Sequence, residues 1–245
     1  MLPTTHLIEH KKFFNRREYI CRRFFILKVE KMIKVIAFDF DGTLADSVDF
    51  CLSCFDHVFE RFMGNSAPPR EEIYQTFGMN EPGVIRHFMN GFVPEAEEYF
   101  YQLHRNLHKE WCPDVYPGCR ELLDFLQEKA VTMTILTGRS ETTCRISLEV
   151  LALEKYFVDI QNGSPEKNDK AGQMLNLLKK FNLQPEELVY IGDAVSDAEA
   201  AHRAGVKCLS AAWAKSARIP ELEKINPGLV FTDVADMQKY IAERI

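Results

Sequence analysis

The chain has 245 residues, enough for a large domain with a substantial core, and its 46% hydrophobic and 27% charged residues exclude wholesale disorder. No apolar run reaches the roughly 20 residues of a membrane-spanning helix, and a formal net charge of −6 gives no general attraction to nucleic acid or anionic lipid. We therefore expect a small-molecule ligand, with neither nucleic acid nor a membrane as partner.

The first 31 residues differ in charge from the rest of the chain. They hold 8 Lys or Arg against 3 Glu, and they lack the apolar stretch and cleavage site of a secretory signal. We expect residues 1–31 to be a dispensable basic extension, with Met32 starting the folded core. A transit peptide or a contact with an anionic surface is the alternative interpretation. Seven dispersed cysteines, an odd number, favour a reducing, cytoplasmic compartment over a disulfide framework.

Apolar periodicity first predicts a strand and then a purely helical region. Residues 34–39 form a β-branched and aromatic run ended by Asp-Gly, which is typical of a buried strand entering a turn. From residue 48 to about 116 the apolar residues recur at helical spacing. Helices are predicted to begin after the capping residues Asp46 and Ser47 and at Pro68, Pro82 and Pro94.

After Pro117 and Gly118, helices alternate with apolar strands. The predicted helices are 119–129, 141–151, 169–181, 197–204 and 234–244, and the predicted strands are 131–137, 158–162, 188–192, 206–210 and 229–232. This alternation predicts an α/β fold, a Rossmann-like doubly wound parallel sheet formed by residues 32–47 and 117–245, with an all-helical insertion at 48–116. Ligands of such sheets bind beyond the carboxyl ends of the strands.

Carboxylates stand at the ends of two predicted strands. Asp39 and Asp41 are two residues apart, so in extended chain they face the same side, and an ionised pair so close needs a cation or a shared proton. Asp193 ends strand 188–192, and Asp197 follows one helical turn later. If the sheet brings these strand ends together, a hard cation such as Mg²⁺ would find oxygen ligands there.

Two further residues are candidate donors to a phosphoryl group. Thr137 ends strand 131–137, and Lys170 begins the helix that leads to the Asp193 strand. Taken singly, Thr137 is also typical of a helix cap and Lys170 of a solvated surface, but their joint order favours function. The pair Cys51 and Cys54 lies inside an amphipathic helix, and we expect neither a metal nor a redox role for it.

In this order the residues resemble the four motifs of the haloacid dehalogenase superfamily, and within it the phosphatases similar to phosphoglycolate phosphatase. The resemblance runs from Ile33 to the C-terminus. Asp-x-Asp-Gly-Thr matches residues 39–43, the strand-end Thr matches Thr137, and Gly-Asp-x-x-x-Asp matches residues 192–197. The third motif is commonly a lysine followed by Pro, and here that Pro is missing. Lys170 is favoured because it begins the apolar-periodic helix, and Lys167 is the alternative.

The resemblance implies a Mg²⁺-dependent phosphatase that hydrolyses a small phosphomonoester, such as phosphoglycolate or a sugar phosphate. Asp39 would attack phosphorus and become an aspartyl phosphate, and Asp41 would act as acid and then base. Mg²⁺ would be held by the Asp39 carboxylate, the Asp41 backbone carbonyl and Asp193, with Asp197 orienting these ligands.

Thr137 and Lys170 would bind the phosphoryl group, and the helical insertion at 48–116 would be a cap that closes over the cleft. A phosphosugar mutase, a pyrophosphatase or a nucleotidase of the same superfamily remains an alternative, as does a noncatalytic regulatory module. Arg139, two residues after Thr137, is compatible with helix-end packing or with phosphate contact.

Residues of one loop region in the insertion are candidates for substrate selection. If this region faces the cleft, we expect Arg86→Ala to alter substrate preference. The candidates are Gly78, Asn80, Glu81, Arg86 and His87.

Overall fold

A parallel sheet forms the centre of the computed structural model, which describes residues 33–166 and 169–245. In this part of the chain the sheet has six strands in the order β3-β2-β1-β4-β5-β6. The strands are β1 (Val35–Phe38), β2 (Thr132–Leu136), β3 (Asp159–Gln161), β4 (Leu188–Gly192), β5 (Lys207–Ala211) and β6 (Val230–Phe231). The order reverses at β1, which lies between β2 and β4, and this arrangement confirms the predicted doubly wound fold.

The helices follow the predicted alternation. They are α1 (Val48–Met63), α2 (Arg70–Gln75), α3 (Glu81–Phe88), α4 (Pro94–Trp111), α5 (Cys119–Glu128), α6 (Glu141–Val150), α7 (Lys170–Lys180), α8 (Val195–Ala204), α9 (Ile219–Ile225) and α10 (Val234–Ala242). Short 3₁₀ turns occupy Gly64–Ser66, Glu154–Tyr156 and Pro185–Glu187. Helix α8 begins two residues earlier than predicted, because the Asp197 carboxylate caps the first turn by accepting from the amide of Ala194.

Strand β1 is buried on both faces because helices cover both sides of the sheet. Ile36 and Phe38 belong to one hydrophobic cluster, and Val35 and Ala37 belong to the other, as the alternation of side chains along a strand requires. The first cluster includes residues of α5, α6 and α10, and the second includes residues of α7 and α8. A strand buried on both faces is expected to read as a continuous apolar run, as β1 does.

Helices α1 to α4 form the insertion between β1 and α5. Helix α1 packs on α4 through buried aromatic rings, with Phe55 and Phe100 centroids 4.6 Å apart, and α4 also packs on α6 of the sheet layer. These aromatic residues belong to the same cluster as one face of the sheet, so the insertion and the sheet share a continuous apolar core.

The basic extension, residues 1–31, and Lys167 lie outside the described residues. Among the residues that are described, none of the helices combines the length and the apolar character needed to cross a bilayer.

Candidate active site

The carboxyl ends of β1 and β4 lie side by side and place Asp39 next to Asp193. Phe38 of β1 is in register with Ile191 of β4, and the amide of Asp39 donates to the Ile191 carbonyl at 2.8 Å. The chain then turns at Gly42, which has φ +73°, and a Cβ there would lie 2.3 Å from Asp193 Oδ2. Only glycine permits both this backbone conformation and this close approach.

Lys170 extends from the first residue of α7 to two carboxylates. Its Nζ donates to Asp39 Oδ2 at 2.8 Å and to Asp197 Oδ1 at 2.6 Å. Burial opposes its charged form, but the two aspartates outweigh that effect and raise the pKa of Lys170 well above its usual value. The structure thus places the favoured lysine, as a protonated ammonium, directly on the carboxylate predicted to be the nucleophile.

Three carboxylates converge around this ammonium. Ligand oxygens of Asp39, Asp193 and Asp197 all lie within 4.8 Å of one another. Burial and the neighbouring charge of Asp197 raise the pKa of Asp39 to about 6 and that of Asp193 well above its usual value. When ionised, these three carboxylates carry more negative charge than the single ammonium of Lys170 can neutralise.

This donor set fits Mg²⁺, a hard cation that prefers oxygen ligands and that would relieve the repulsion among the carboxylates. Asp197 is fixed by other bonds as well, since it accepts from the Tyr190 hydroxyl at 3.3 Å and from the Ala194 amide at 3.1 Å. It therefore has the surroundings expected of a residue that orients the other ligands, and its own oxygens also lie in the cluster.

The side chain of Asp41 takes part in a different set of contacts. Its carboxylate accepts from Ser47 Oγ at 2.6 Å and forms an ion pair with Arg139, whose Nη2 lies 2.6 Å from Asp41 Oδ1. Burial would favour the neutral acid, but the charge and hydrogen bonds of Arg139 outweigh it and lower the pKa of Asp41. The contacts of Asp41 therefore favour its ionised form.

Sequence reasoning left the role of Arg139 open. The guanidinium is only 4% exposed and reaches back across the end of β1 to Asp41, 98 positions earlier in the chain. The available signal was a cationic residue two positions after a strand-end threonine, beside a strand that ends in two carboxylates.

Thr137 lies at the end of β2, as predicted, and is fully buried. Its amide donates to the Gln161 carbonyl at 3.0 Å, and its hydroxyl oxygen accepts from the amide of Arg139 at 3.3 Å. These bonds hold the loop that follows β2 in the position from which Arg139 contacts Asp41.

The start of α3, with its N-cap Asn80, lies against two loops of the sheet domain. Asn80 donates from its amide to the Ser164 carbonyl at 2.9 Å, and Glu81 accepts from the amide of Ser140 at 2.8 Å. A Cβ on Gly83 would lie 2.1 Å from the Pro165 carbonyl oxygen, so the backbones approach very closely here.

The other candidates for substrate selection lie elsewhere. Arg86 pairs with Glu97 of α4 at 2.7 Å, within the insertion, and its guanidinium also packs over the Phe92 ring. Gly78 and His87 line a cavity of about 760 Å³ together with Glu166. Of the five candidates, Asn80 and Glu81 are the ones bonded to the sheet domain.

Comparison with known proteins identifies the family to which the chain is similar. The model of the haloacid dehalogenase-like hydrolase family matches residues 36–211. The chain is 27% identical to a phosphoglycolate phosphatase of Pseudomonas syringae pv. syringae over 216 residues, covering 83% of this chain and 78% of the relative. It is 29% identical to a phosphoglycolate phosphatase of Chromobacterium violaceum over 193 residues, covering 75% and 86% respectively.

Among solved structures, one is described as a predicted phosphatase from Clostridium acetobutylicum, with a TM-score of 0.69 and 19% identity. The match covers 87% of this chain and all of that one, and it supports the fold. The chain belongs to the haloacid dehalogenase-like hydrolase family. Within that family it is an enzyme of the phosphatase type.

Proposed function

We propose that the protein hydrolyses a small phosphomonoester, phosphoglycolate or a similarly small sugar phosphate, through an aspartyl-phosphate intermediate. The observation that carries this proposal is the buried Asp39 carboxylate at the carboxyl end of β1, bonded to Lys170 at 2.8 Å and next to Asp193 and Asp197. The substrate class is supported by the similarity to the two phosphoglycolate phosphatases.

Asp39 is the nucleophile in this proposal. One of its carboxylate oxygens forms a bond to phosphorus while the bond from phosphorus to the leaving oxygen breaks. Two like charges 4 Å apart repel by about 4 kcal/mol at the effective dielectric of a protein surface, so an anionic nucleophile needs compensation. Lys170 provides a positive charge at the attacking carboxylate, and its protonated state is ensured by Asp39 and Asp197.

Mg²⁺ would be held by the carboxylates of Asp39 and Asp193 and by the backbone carbonyl of Asp41, with Asp197 orienting these ligands. When bound, the cation neutralises charge on the phosphoryl oxygens and on the cluster. Thr137 and Lys170 are the proposed phosphoryl-binding residues, since both lie at the same edge of the sheet as Asp39.

Asp41 is the proposed acid and base. It gives a proton to the leaving oxygen in the first half of the reaction and takes one from the attacking water in the second. The lowered pKa of Asp41 favours its ionised carboxylate, which is the form that acts in the second half. Helices α1 to α4 are the proposed cap, whose docking through Asn80 and Glu81 would exclude bulk water.

The test is phosphate release by the purified protein over phosphoglycolate, sugar phosphates, nucleotides, pyrophosphate and an aryl phosphate, with Mg²⁺ or with EDTA. We expect Mg²⁺-dependent turnover with a preference for a small monoester, and its loss in Asp39→Asn. Asp236→Asn, which removes only an exposed pair with Lys239, is the matched control and should retain activity.

A folded protein that releases phosphate from none of these compounds would contradict the proposal. If NMR instead showed transfer of the phosphoryl group to a second sugar hydroxyl, the protein would be a mutase. Phosphate release that is the same in Asp39→Asn would exclude Asp39 as the nucleophile.

A further inference from the structure

We infer that Arg139 is a positioning residue that holds the Asp41 carboxylate where it accepts a proton from the water that hydrolyses the aspartyl phosphate. This inference rests on the proposed function and deepens it. It assigns a specific half-reaction to an arginine that the four motifs do not include.

Donors of fixed direction surround the Asp41 carboxylate. Arg139 Nε lies 2.9 Å from Oδ2 and 3.1 Å from Oδ1, Nη2 lies 2.6 Å from Oδ1, and Ser47 Oγ donates to Oδ1 at 2.6 Å. Because a guanidinium can only donate, both oxygens of Asp41 are acceptors in this arrangement. The planar fork also fixes the plane of the carboxylate, which a single flexible lysine would not do.

The guanidinium is itself held from the far side. Nη1 donates to the hydroxyl of Ser147 on α6 and lies 3.3 Å from Nε2 of His104 on α4. Its plane packs over the Phe40 ring, with Cζ 4.4 Å from the centroid. A side chain that is 4% exposed and bonded on each edge has little freedom, so it transmits its own position to Asp41.

The two proposed reacting carboxylates have different cationic partners. Lys170 bonds to Asp39 and Asp197, whereas Arg139 bonds to Asp41, so each proposed reacting carboxylate has its own cation. The ammonium is placed to assist phosphoryl transfer to Asp39, and the guanidinium is placed to prepare Asp41 as an acceptor.

In the step assigned to this pair, the oxygen of water forms a bond to phosphorus while one of its protons moves to an oxygen of Asp41. The bond from phosphorus to the Asp39 oxygen breaks, its electron pair returns to the Asp39 carboxylate, and inorganic phosphate leaves. No redox change or additional reactant is involved.

The test is steady-state and burst kinetics with 4-nitrophenyl phosphate and with the best substrate of the panel, in the presence of Mg²⁺. For Arg139→Met we expect kcat to fall about 10- to 100-fold while kcat/KM changes less than about 3-fold. The fall in kcat is a part of the usual contribution of general-base catalysis. This split arises because kcat/KM reports the steps up to enzyme phosphorylation, and kcat includes dephosphorylation. A burst of 4-nitrophenol approaching one equivalent per enzyme should accompany it.

Arg105→Met is the matched control. Arg105 of α4 makes an exposed contact with Glu149 of α6 at 3.3 Å, so it joins the two helices that hold the Arg139 guanidinium, but it does not contact Asp41. It should leave kcat, kcat/KM and the burst unchanged. Arg139→Lys should recover part of kcat. In an Asp41→Asn background, Arg139→Met should lower kcat by less than about 3-fold more, since Arg139 acts through Asp41.

If Arg139→Met does not fold, Ser147→Ala tests the same inference, because it removes one hydrogen-bond acceptor of the guanidinium. We then expect kcat to fall about 3- to 10-fold with little change in kcat/KM. Equal losses in kcat and kcat/KM without a burst, unchanged kinetics, or full additivity with Asp41→Asn would overturn the inference alone. A wild-type protein without phosphatase turnover would overturn the proposed function and the inference together.

Discussion

Replacing Asp39 by asparagine should stabilise the metal-free protein although it removes the proposed nucleophile. Asp39 lies in the buried carboxylate cluster, and asparagine has nearly the same shape without the charge. Lys170 keeps a carboxylate partner in the variant, because its Nζ also lies 2.6 Å from Asp197. The substitution therefore removes repulsion without leaving the ammonium unpaired.

The magnitude follows from the shifted pKa of Asp39. Burial and the charges of Asp197 and Asp41 outweigh the opposing effect of Lys170 and raise this pKa from 3.8 to about 6. One pKa unit corresponds to about 1.4 kcal/mol, so ionising Asp39 costs the folded state about 3 kcal/mol at pH 7 relative to the unfolded chain. For a chain of this size that corresponds to a change of about 6–12 °C in Tm.

The sign of the pH dependence is fixed by the direction of this shift. Because the folded protein binds the proton more tightly than the unfolded chain, the contribution of Asp39 to stability falls as pH rises from about 4 through 6 and is constant above about 7. Asp39→Asn lacks this loss. The two proteins should therefore be alike near pH 4, and the free energy of unfolding of the variant should exceed that of the wild type increasingly up to pH 7.

The assay is urea and thermal unfolding in EDTA between pH 4 and pH 8. Asp236→Asn serves as the control, since its exposed pair with Lys239 contributes at most about 1 kcal/mol. An Asp39→Asn protein that is less stable than the wild type at pH 7, or a stability difference that does not change with pH, would refute the reasoning.

Three further predictions concern Mg²⁺ binding, Gly83 at the start of α3, and Arg86. Saturating Mg²⁺, at about 100 times its Kd, should raise the unfolding free energy by about 3 kcal/mol, and differential scanning fluorimetry should show this rise lost in Asp193→Asn. Gly83→Ala should lower stability by about 1–3 kcal/mol in urea unfolding and raise KM, because the new Cβ would clash with the Pro165 carbonyl oxygen; unchanged values would mean that the start of α3 moves aside freely. Arg86→Ala should leave substrate preference unchanged across the panel, since its ion pair lies within the insertion, and a changed preference would show that it faces the substrate.

The sheet could be predicted from the sequence because its pattern is local. Strand β1 is a short continuous apolar run ended by Asp-Gly, and strands β2 to β5 each follow an amphipathic helix. Helix α9 was missed because it has seven residues, too few for an apolar period to be distinguished from a loop. Its one local signal is Pro220 in the first turn.

The parts of the candidate site that were predicted are those that follow strand ends or begin helices. Asp39 and Asp193 needed only the rule that carboxyl ends of parallel strands meet at one edge, and Lys170 needed only its place at the start of α7. The ion pair of Arg139 with Asp41 could not be predicted in this way, because it joins residues 98 positions apart. It depends on the directions of two side chains, and apolar periodicity does not specify those directions.

The position of β1 explains why two reacting carboxylates so close in sequence can have opposite electrostatic surroundings. With β4 on one side and β2 on the other, the loop after β1 receives Lys170 and Asp193 from elements connected to β4, and Arg139 from the loop after β2. Burial and the neighbouring acids therefore raise the pKa of Asp39, while Arg139 outweighs burial and lowers the pKa of Asp41. The doubly wound order therefore gives the two carboxylates different cationic partners, Lys170 for Asp39 and Arg139 for Asp41, as the division of roles between nucleophile and base requires.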